Sequence, residues 1–323
     1  FFSATPWGTW QGDREGGGGD ASKRNRSKMS GDEAFQKQAA VILALTSNEK
    51  SGHLGKLTAE EEQVLKEFRE QHREKRMTDQ DLLRFLRARQ FNLKKASKML
   101  EDTCEYRKQH QPDRLLVTDH VNICKQGLGF VQGVDKMGRP VVWYYFCNHD
   151  PAQHAQAWDF CVALLEMAIR ALPPGSDGVT VCFDLTGYSR KNSDIKLAIK
   201  IVQTLQNHYP ERMGMTLFMN APTVFWLLWR VIRPFLDART SAKILFVDGS
   251  NWQDKLHSLI DRTQLPAAQG GGLAMTPSTW IDQILRAPNG HSPSRSQGGS
   301  PVRTLGNLSP MGLGSPPLPI GYG

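Results

Sequence analysis

The acids, histidines and thiols that could do chemistry in this sequence are present but scattered. It contains no Gly-x-Ser-x-Gly elbow, no Gly-x4-Gly-Lys phosphate loop and no His-Glu-x-x-His zinc pair. Cys182 and Arg190 stand too far apart for a Cys-x5-Arg phosphatase loop. Gly127, Gly129 and Gly133 run Gly-x-Gly-x3-Gly into a predicted strand, the wrong spacing and the wrong element for a dinucleotide site. His149, His154 and His208 have no partner at metal-ligand spacing. Five cysteines, Cys104, Cys124, Cys147, Cys161 and Cys182, never form a Cys-x-x-Cys pair, which points to reduced, buried thiols in the cytosol rather than a disulfide framework. The inventory favours binding over catalysis. No catalytic residue, cofactor or metal ligand is assigned.

The most informative segment is Asn220 to Asp237. Pro222 suits the first turn of a helix and Pro234 its end. Residues 224–229 are six consecutive apolar side chains, which at about 100° per residue surround the helix. Two readings stand. Either this is a core helix buried on every side, or it is a lid over an apolar cavity that also lies in a membrane interface, with Arg230 and Arg233 reaching phosphates. It is too short to span a bilayer.

Two modules position that helix. Over 58–111 the period is helical. Thr58 with Glu61 is a capping box, Thr78 with Asp81 repeats the signature, and Asn92 caps a third helix. The basic cluster Arg84, Arg87, Arg89, Lys94 and Lys95 on this bundle reads as a solvated face or as a contact for an anionic headgroup. Over 115–275, strand-like runs at Val141–Phe146, Val179–Phe183, Met215–Met219 and Ile244–Val247 alternate with helical stretches around Trp158–Leu172, Ile195–His208 and Thr223–Ile232. That rhythm implies right-handed crossovers and a largely parallel sheet, an α/β core. The flanks differ. Residues 1–51 read as a mostly disordered tail, and 276–323 as a short helix followed by a disordered Ser/Pro/Gly-rich tail. Four Ser-Pro dipeptides, at Ser292, Ser300, Ser309 and Ser315, make that tail a candidate for a proline-directed kinase. The first twenty residues lack a signal peptide's basic start and apolar core.

The chain carries 39% hydrophobic residues and a net charge of +8, too apolar for a wholly disordered chain. The charge is spread evenly: segments 1–57, 58–114, 115–274 and 275–323 each carry a surplus of two basic residues. With no concentrated basic arm, nucleic acid is not an expected partner, and an anionic membrane surface suits the charge as well.

In order along the chain, Leu82-Leu-Arg-Phe-Leu-Arg-Ala-Arg89, Asp135-Lys-Met-Gly-Arg-Pro140, Phe183-Asp-Leu-Thr-Gly187 and Tyr209-Pro-Glu-Arg-Met213 are followed by Asn220-Ala-Pro222, Pro234-Phe-Leu-Asp237, Thr240-Ser-Ala-Lys243 and Leu265-Pro with Gly271-Gly272. Together they resemble the CRAL-TRIO lipid-binding family, in particular its phosphatidylinositol/phosphatidylcholine transfer branch, from about Gly52 to Gly272. The resemblance implies a helical amino-terminal module (52–114) packed on an α/β lobe (115–275) that encloses one phospholipid, with a gate helix over 222–236. It places the inositol phosphate headgroup at Glu211, Asp237, Thr240 and Lys243. The chemistry fits, because Lys243 brings charge to a phosphate while Glu211 and Asp237 accept inositol hydroxyls. Gln90 stands where inositol-lipid binders commonly carry a basic residue, leaving Arg89 to do more. Val142 stands where the choline branch has a tyrosine, and Ser189 matches a hydroxylic position near the choline phosphate.

The expectation is a non-enzymatic protein that binds a phospholipid, phosphatidylinositol favoured, and exchanges or presents it at membranes. Phe225, Trp226, Leu228, Trp229, Ile232 and Phe235 are the expected gate and membrane contacts. A lipid kinase is an implied partner, and the cytoplasm with transient visits to endomembranes such as Golgi the implied location. The alternative is a lipid-sensing module of a signalling protein, without net transfer.

Overall fold

The computed structural model describes residues 30–47 and 52–286; the four Ser-Pro dipeptides lie outside them. Within segment 1–51, expected to be mostly disordered, a 15-residue helix stands, α1 (Gly31–Leu45), while residues 1–29 and 48–51 lie outside the described residues. Ser30 and Glu33 form a reciprocal capping box at its start, and Phe35, Ala39 and Ile42 make an i, i+4, i+7 stripe that joins the main core.

Three helices form the small bundle: α2 (Ala59–Gln71), α3 (Asp79–Ala88) and α4 (Leu93–His110). Thr58, Thr78 and Asn92 each accept a backbone N–H three residues on, so the capping signals fix all three starts. Phe68, Leu83, Leu86 and Leu100 fill the bundle's own core. A short helix α5 (Val121–Lys125) leads to strand β1 (Gly129–Val134), which pairs antiparallel with β2 (Pro140–Tyr144). Helix α6 (His154–Arg170) connects to β3 (Val179–Asp184), α7 (Ile195–His208) to β4 (Met213–Met219), and α8 (Thr223–Ile232) with α9 (Ala238–Ser241) to β5 (Ile244–Val247). The sheet order is β1-β2-β3-β4-β5, and every pair after the first is parallel. Helices α10 (Trp252–Leu259) and α11 (Pro277–Arg286) complete the described residues.

Alternation along the strands divides the work of the two faces. Leu217 and Leu245 point into the core that α1 and α10 help to close. Thr216, Phe218 and Ile244 point the other way, toward α7 and α8. That second face carries the cavity.

The glycine series before β2 has a mechanical role. Gly133 has φ +77°, at the register shift between Val131 and Val134, and a Cβ there would lie 2.2 Å from the Gln264 carbonyl oxygen. Gly133→Ala is therefore expected to cost at least about 1–3 kcal/mol, read as a lower urea midpoint, with neighbouring Gly138→Ala, which has open space for its Cβ, costing less.

Candidate functional site

Between α7, α8 and the sheet lies a cavity of about 370 Å³, within the usual span of ligand sites. Leu197, Ile201 and Leu205 line it from α7, Phe183, Phe218 and Ile244 from the sheet, and Phe225, Leu228, Trp229 and Ile232 from α8. The Phe218 ring stacks on Phe183 at 4.8 Å and meets Phe225 at 5.1 Å. These walls are apolar, and the ends are not.

At one end, the described geometry brings together most of the expected headgroup residues. Glu211 follows Pro210 with φ 57°, a left-handed conformation that costs a glutamate energy and aims it at the mouth. Its carboxylate forms an ion pair with Arg239, Nε to Oε1 at 2.8 Å, and accepts from Arg239 Nη2 and Lys243 Nζ, each at 3.2 Å. Lys243 is buried and also donates to the Met213 carbonyl at 3.0 Å. An ammonium has three N–H donors, so one remains for the cavity that Lys243 lines. Burial pulls the Lys243 pKa down, and Glu211 opposes that shift. Asp237 caps α9: it accepts from the Thr240 amide at 2.7 Å and the Thr240 hydroxyl at 3.0 Å, while Gln206 donates to it at 3.1 Å. Arg89 lines the cavity beside Gln90 and bonds the Ala88 carbonyl. The sequence pattern missed Arg239, which lies between Asp237 and Thr240 and closes the Glu211 pair. Its basic charge inside the Asp-Ala-Arg-Thr run was the available signal.

Ser189 is not part of the cavity wall. Its hydroxyl donates to Asn192 Oδ1 at 2.9 Å, and Asn192 is the residue that reaches the cavity. This opposite end is polar too. Asp194 caps α7 through the Leu197 amide at 2.8 Å and meets His154 Nδ1 at 2.9 Å and His149 Nε2 at 3.3 Å. Two of the three histidines without partners at metal-ligand spacing, His149 and His154, thus share a carboxylate, whereas His208 stacks on Tyr106; no group among the described residues is suited to hold a metal ion. Burial pushes Asp194 up, but the Leu197 amide and the two imidazoles outweigh it and hold the carboxyl below its ordinary 3.8. Stability drawn from this carboxylate is thus present above pH 3.8 and lost as pH falls through the lower folded value. Asp194→Ala is expected to lose about 1–2 kcal/mol at neutral pH, a deficit that shrinks on acidification, as urea titrations at several pH values would report.

Helix α8 divides the expected gate residues. Phe225 is 3% exposed, Ile232 is buried, and Leu228 and Trp229 line the cavity, so these four form the inner face of the closing helix. The outward strip is Trp226, Leu227, Val231 and Phe235, at 38%, 52%, 40% and 43% exposure, flanked by exposed Arg230 and Arg233. Leu227 and Val231 were not among the expected contacts. The helix is neither wholly buried nor a free surface: one side closes a cavity and the other is left in solvent. Among the described residues no helix is long and apolar enough to cross a membrane.

An α/β lobe with an apolar cavity, a charged mouth and one amphiphilic closing helix defines a binding protein for a ligand with an apolar body and a polar head. The CRAL/TRIO domain model matches residues 125–271, and the CRAL/TRIO N-terminal domain model matches residues 54–102. The chain belongs to this family of lipid-binding and lipid-transfer proteins. It is similar to Protein real-time of Aedes aegypti, 29% identical over 245 residues, 68% of this chain and 38% of that one. The SEC14 cytosolic factor of Kluyveromyces lactis is 30% identical over 287 residues, covering 76% of this chain and 93% of that protein. Phosphatidylinositol transfer protein CSR1 of Eremothecium gossypii is 30% identical over 207 residues, 60% of this chain and 47% of its own. The chain therefore spans less than half the length of the first and third of these relatives.

Proposed function

We propose that this protein binds a single phospholipid, with phosphatidylinositol preferred, in the cavity between α7 and α8, and exchanges or presents it at membrane surfaces in support of phosphoinositide metabolism. One observation carries this reading: a buried lysine, Lys243, stands at the polar end of an otherwise apolar cavity, with a donor left for a phosphate. Glu211, Asp237 and Thr240 line the same mouth and would offer oxygens to the inositol hydroxyls. The name of one relative, a phosphatidylinositol transfer protein, supports the ligand class, and that of another, a cytosolic factor, supports a cytoplasmic location; transient visits to endomembranes such as Golgi are part of the same proposal. A lipid kinase acting on the presented inositol ring, and a proline-directed kinase acting on the carboxy-terminal tail, are the partners this reading brings with it. A non-enzymatic role belongs to the same reading, supported by the family's lipid-binding and lipid-transfer character.

The test is lipid exchange. Protein incubated with vesicles of phosphatidylcholine and phosphatidylinositol, then separated and extracted, is expected to return one phospholipid per chain, enriched in phosphatidylinositol. Timed movement of that lipid from donor to acceptor vesicles measures transfer. Bound lipid without movement would favour the sensing module, and no bound lipid would sink the reading.

A further inference from the structure

Several exposed cations of the helical bundle are neutralised by neighbours: Arg69 by Asp79 at 2.6 Å, Lys98 by Asp102 at 3.0 Å and Arg73 by Glu70 at 3.9 Å. Five around the closing helix are not. Arg230 on α8, Arg233 at its end, and Arg190, Lys191 and Lys196 beside it are exposed and form no ion pair among the described residues. The acids carried by the same segments are already committed. Asp194 caps α7, and Asp237 caps α9.

The 186–196 segment, which carries three of the five, is fastened to the start of α8. Asn220 donates to the Thr186 hydroxyl at 3.1 Å, and the Tyr188 ring meets Phe225 edge-on at 6.4 Å. Ile195, in the first turn of α7, shares a side of that helix with Val202, seven residues on, and Val202 lines the cavity that α8 closes. Ile195 is itself 45% exposed. It adds an apolar side chain to the outward strip of α8, across the seam between the two helices.

Apolar side chains left in water, rimmed by cations without counter-charges, fit a bilayer with anionic headgroups. The apolar groups enter below the phosphate level, the cations are answered at it, and the long Arg and Lys stems join the two depths. A nucleic acid would answer the charges and leave Ile195, Leu227 and Val231 in water. We propose that Arg190, Lys191 and Lys196, with Ile195, form a second membrane contact beside α8, and that the two contacts together select an anionic bilayer over a neutral one. The purpose of this docking rests on the lipid-exchange reading; its charge dependence is measured without any exchange.

The full chain is floated with vesicles of phosphatidylcholine alone and of phosphatidylcholine with phosphatidylserine, at low and high sodium chloride. Association is expected to be stronger on the phosphatidylserine vesicles and to fall as salt rises. At about fivefold per basic residue, Arg190→Gln with Lys191→Gln is expected to weaken association with the anionic vesicles roughly 25-fold, with little change on phosphatidylcholine. Ile195→Ser is expected to weaken association with both kinds of vesicle about tenfold. The matched control is Lys136→Gln with Arg262→Gln. Both residues are exposed near α10, where the Lys136 amide bonds the Leu259 carbonyl, on the sheet face away from α8. That pair removes the same net charge and is expected to change association less than about twofold. All five sites are exposed, so folding is spared. Equal association with neutral and anionic vesicles, or equal losses from the two charge pairs, overturns the proposal. Binding of polyglutamate through Arg190 and Lys191 without any preference for anionic vesicles overturns it too, and makes the partner an acidic protein. Lipid extraction from the same samples keeps the two readings apart: anionic docking by a chain that carries no phospholipid would count against the lipid reading and leave this surface standing.

Discussion

Replacing Glu211 by alanine is expected to destabilise the fold by about 3–5 kcal/mol, whereas replacing Lys243 by alanine costs much less and removes inositol-lipid loading. The asymmetry comes from what each change leaves behind. Without Glu211, buried Lys243 keeps only the Met213 carbonyl as a partner at its ammonium, and Arg239 loses both bonds to the carboxylate. Without Lys243, Glu211 keeps its ion pair with Arg239 at 2.8 Å and the Nη2 hydrogen bond at 3.2 Å, and its carboxylate stays compensated. Burial already pulls the Lys243 pKa down, so its charged form is the strained member of the pair. Urea midpoints with lipid extraction from mixed vesicles separate the two effects. Equal midpoints for Glu211→Ala and Lys243→Ala, with normal phosphatidylinositol content in both, would show that this pair neither braces the mouth nor reads the headgroup. Glu211→Gln is the useful third variant, because it keeps an acceptor oxygen while deleting the charge.

Much of the frame was legible because its signals are local. Thr58, Thr78 and Asn92 announce helix starts by chemistry that acts across three residues, and Pro222 and Pro234 bracket α8 by fixing backbone angles. The parallel strands are short apolar runs with helices between them, and their length and spacing suffice. Harder to read was anything settled by residues far apart in the chain. Ser30 opens α1 with the same signature as Thr58, yet the helix gains its place only because Phe35, Ala39 and Ile42 find the sheet face near β5. His149 and His154 look isolated until α7 brings Asp194 between them. Helix α8 is the clearest case. Six apolar residues in a row carry no amphipathic phase, so nothing in 224–229 itself says that Phe225 points inward and Leu227 outward. The choice is made by aromatic rings on β4 and β5: Phe218 receives Phe225 and Trp229, and Phe246 receives the Trp226 ring at 4.8 Å.

That division makes α8 separable by mutation. The outward strip of Leu227, Val231 and Phe235, with Trp226 part packed on Phe246 and part in water, is apolar surface exposed to solvent, and burying a leucine or valine side chain is worth about 1.5–3 kcal/mol. At about 1.4 kcal/mol per tenfold, Leu227→Asp with Val231→Asp is expected to weaken vesicle association by roughly 100-fold or more and to slow lipid exchange in step. Both positions are solvent-exposed, so the folding cost should stay within about 0.5 kcal/mol at each. Lipid already bound should remain, because the cavity wall is untouched. Trp229→Ala makes the opposite case. It removes a ring that packs on Phe218 at 5.5 Å inside the cavity, so lipid occupancy should change while vesicle association holds. Flotation with vesicles measures association, and extraction of the unfloated protein measures occupancy. If the aspartate pair exchanged lipid at the wild-type rate, α8 would be a wall of the cavity and no part of the membrane contact. If Trp229→Ala released the protein from vesicles without altering its lipid, the helix would have to turn over at the membrane, with the inner rings becoming the docking surface.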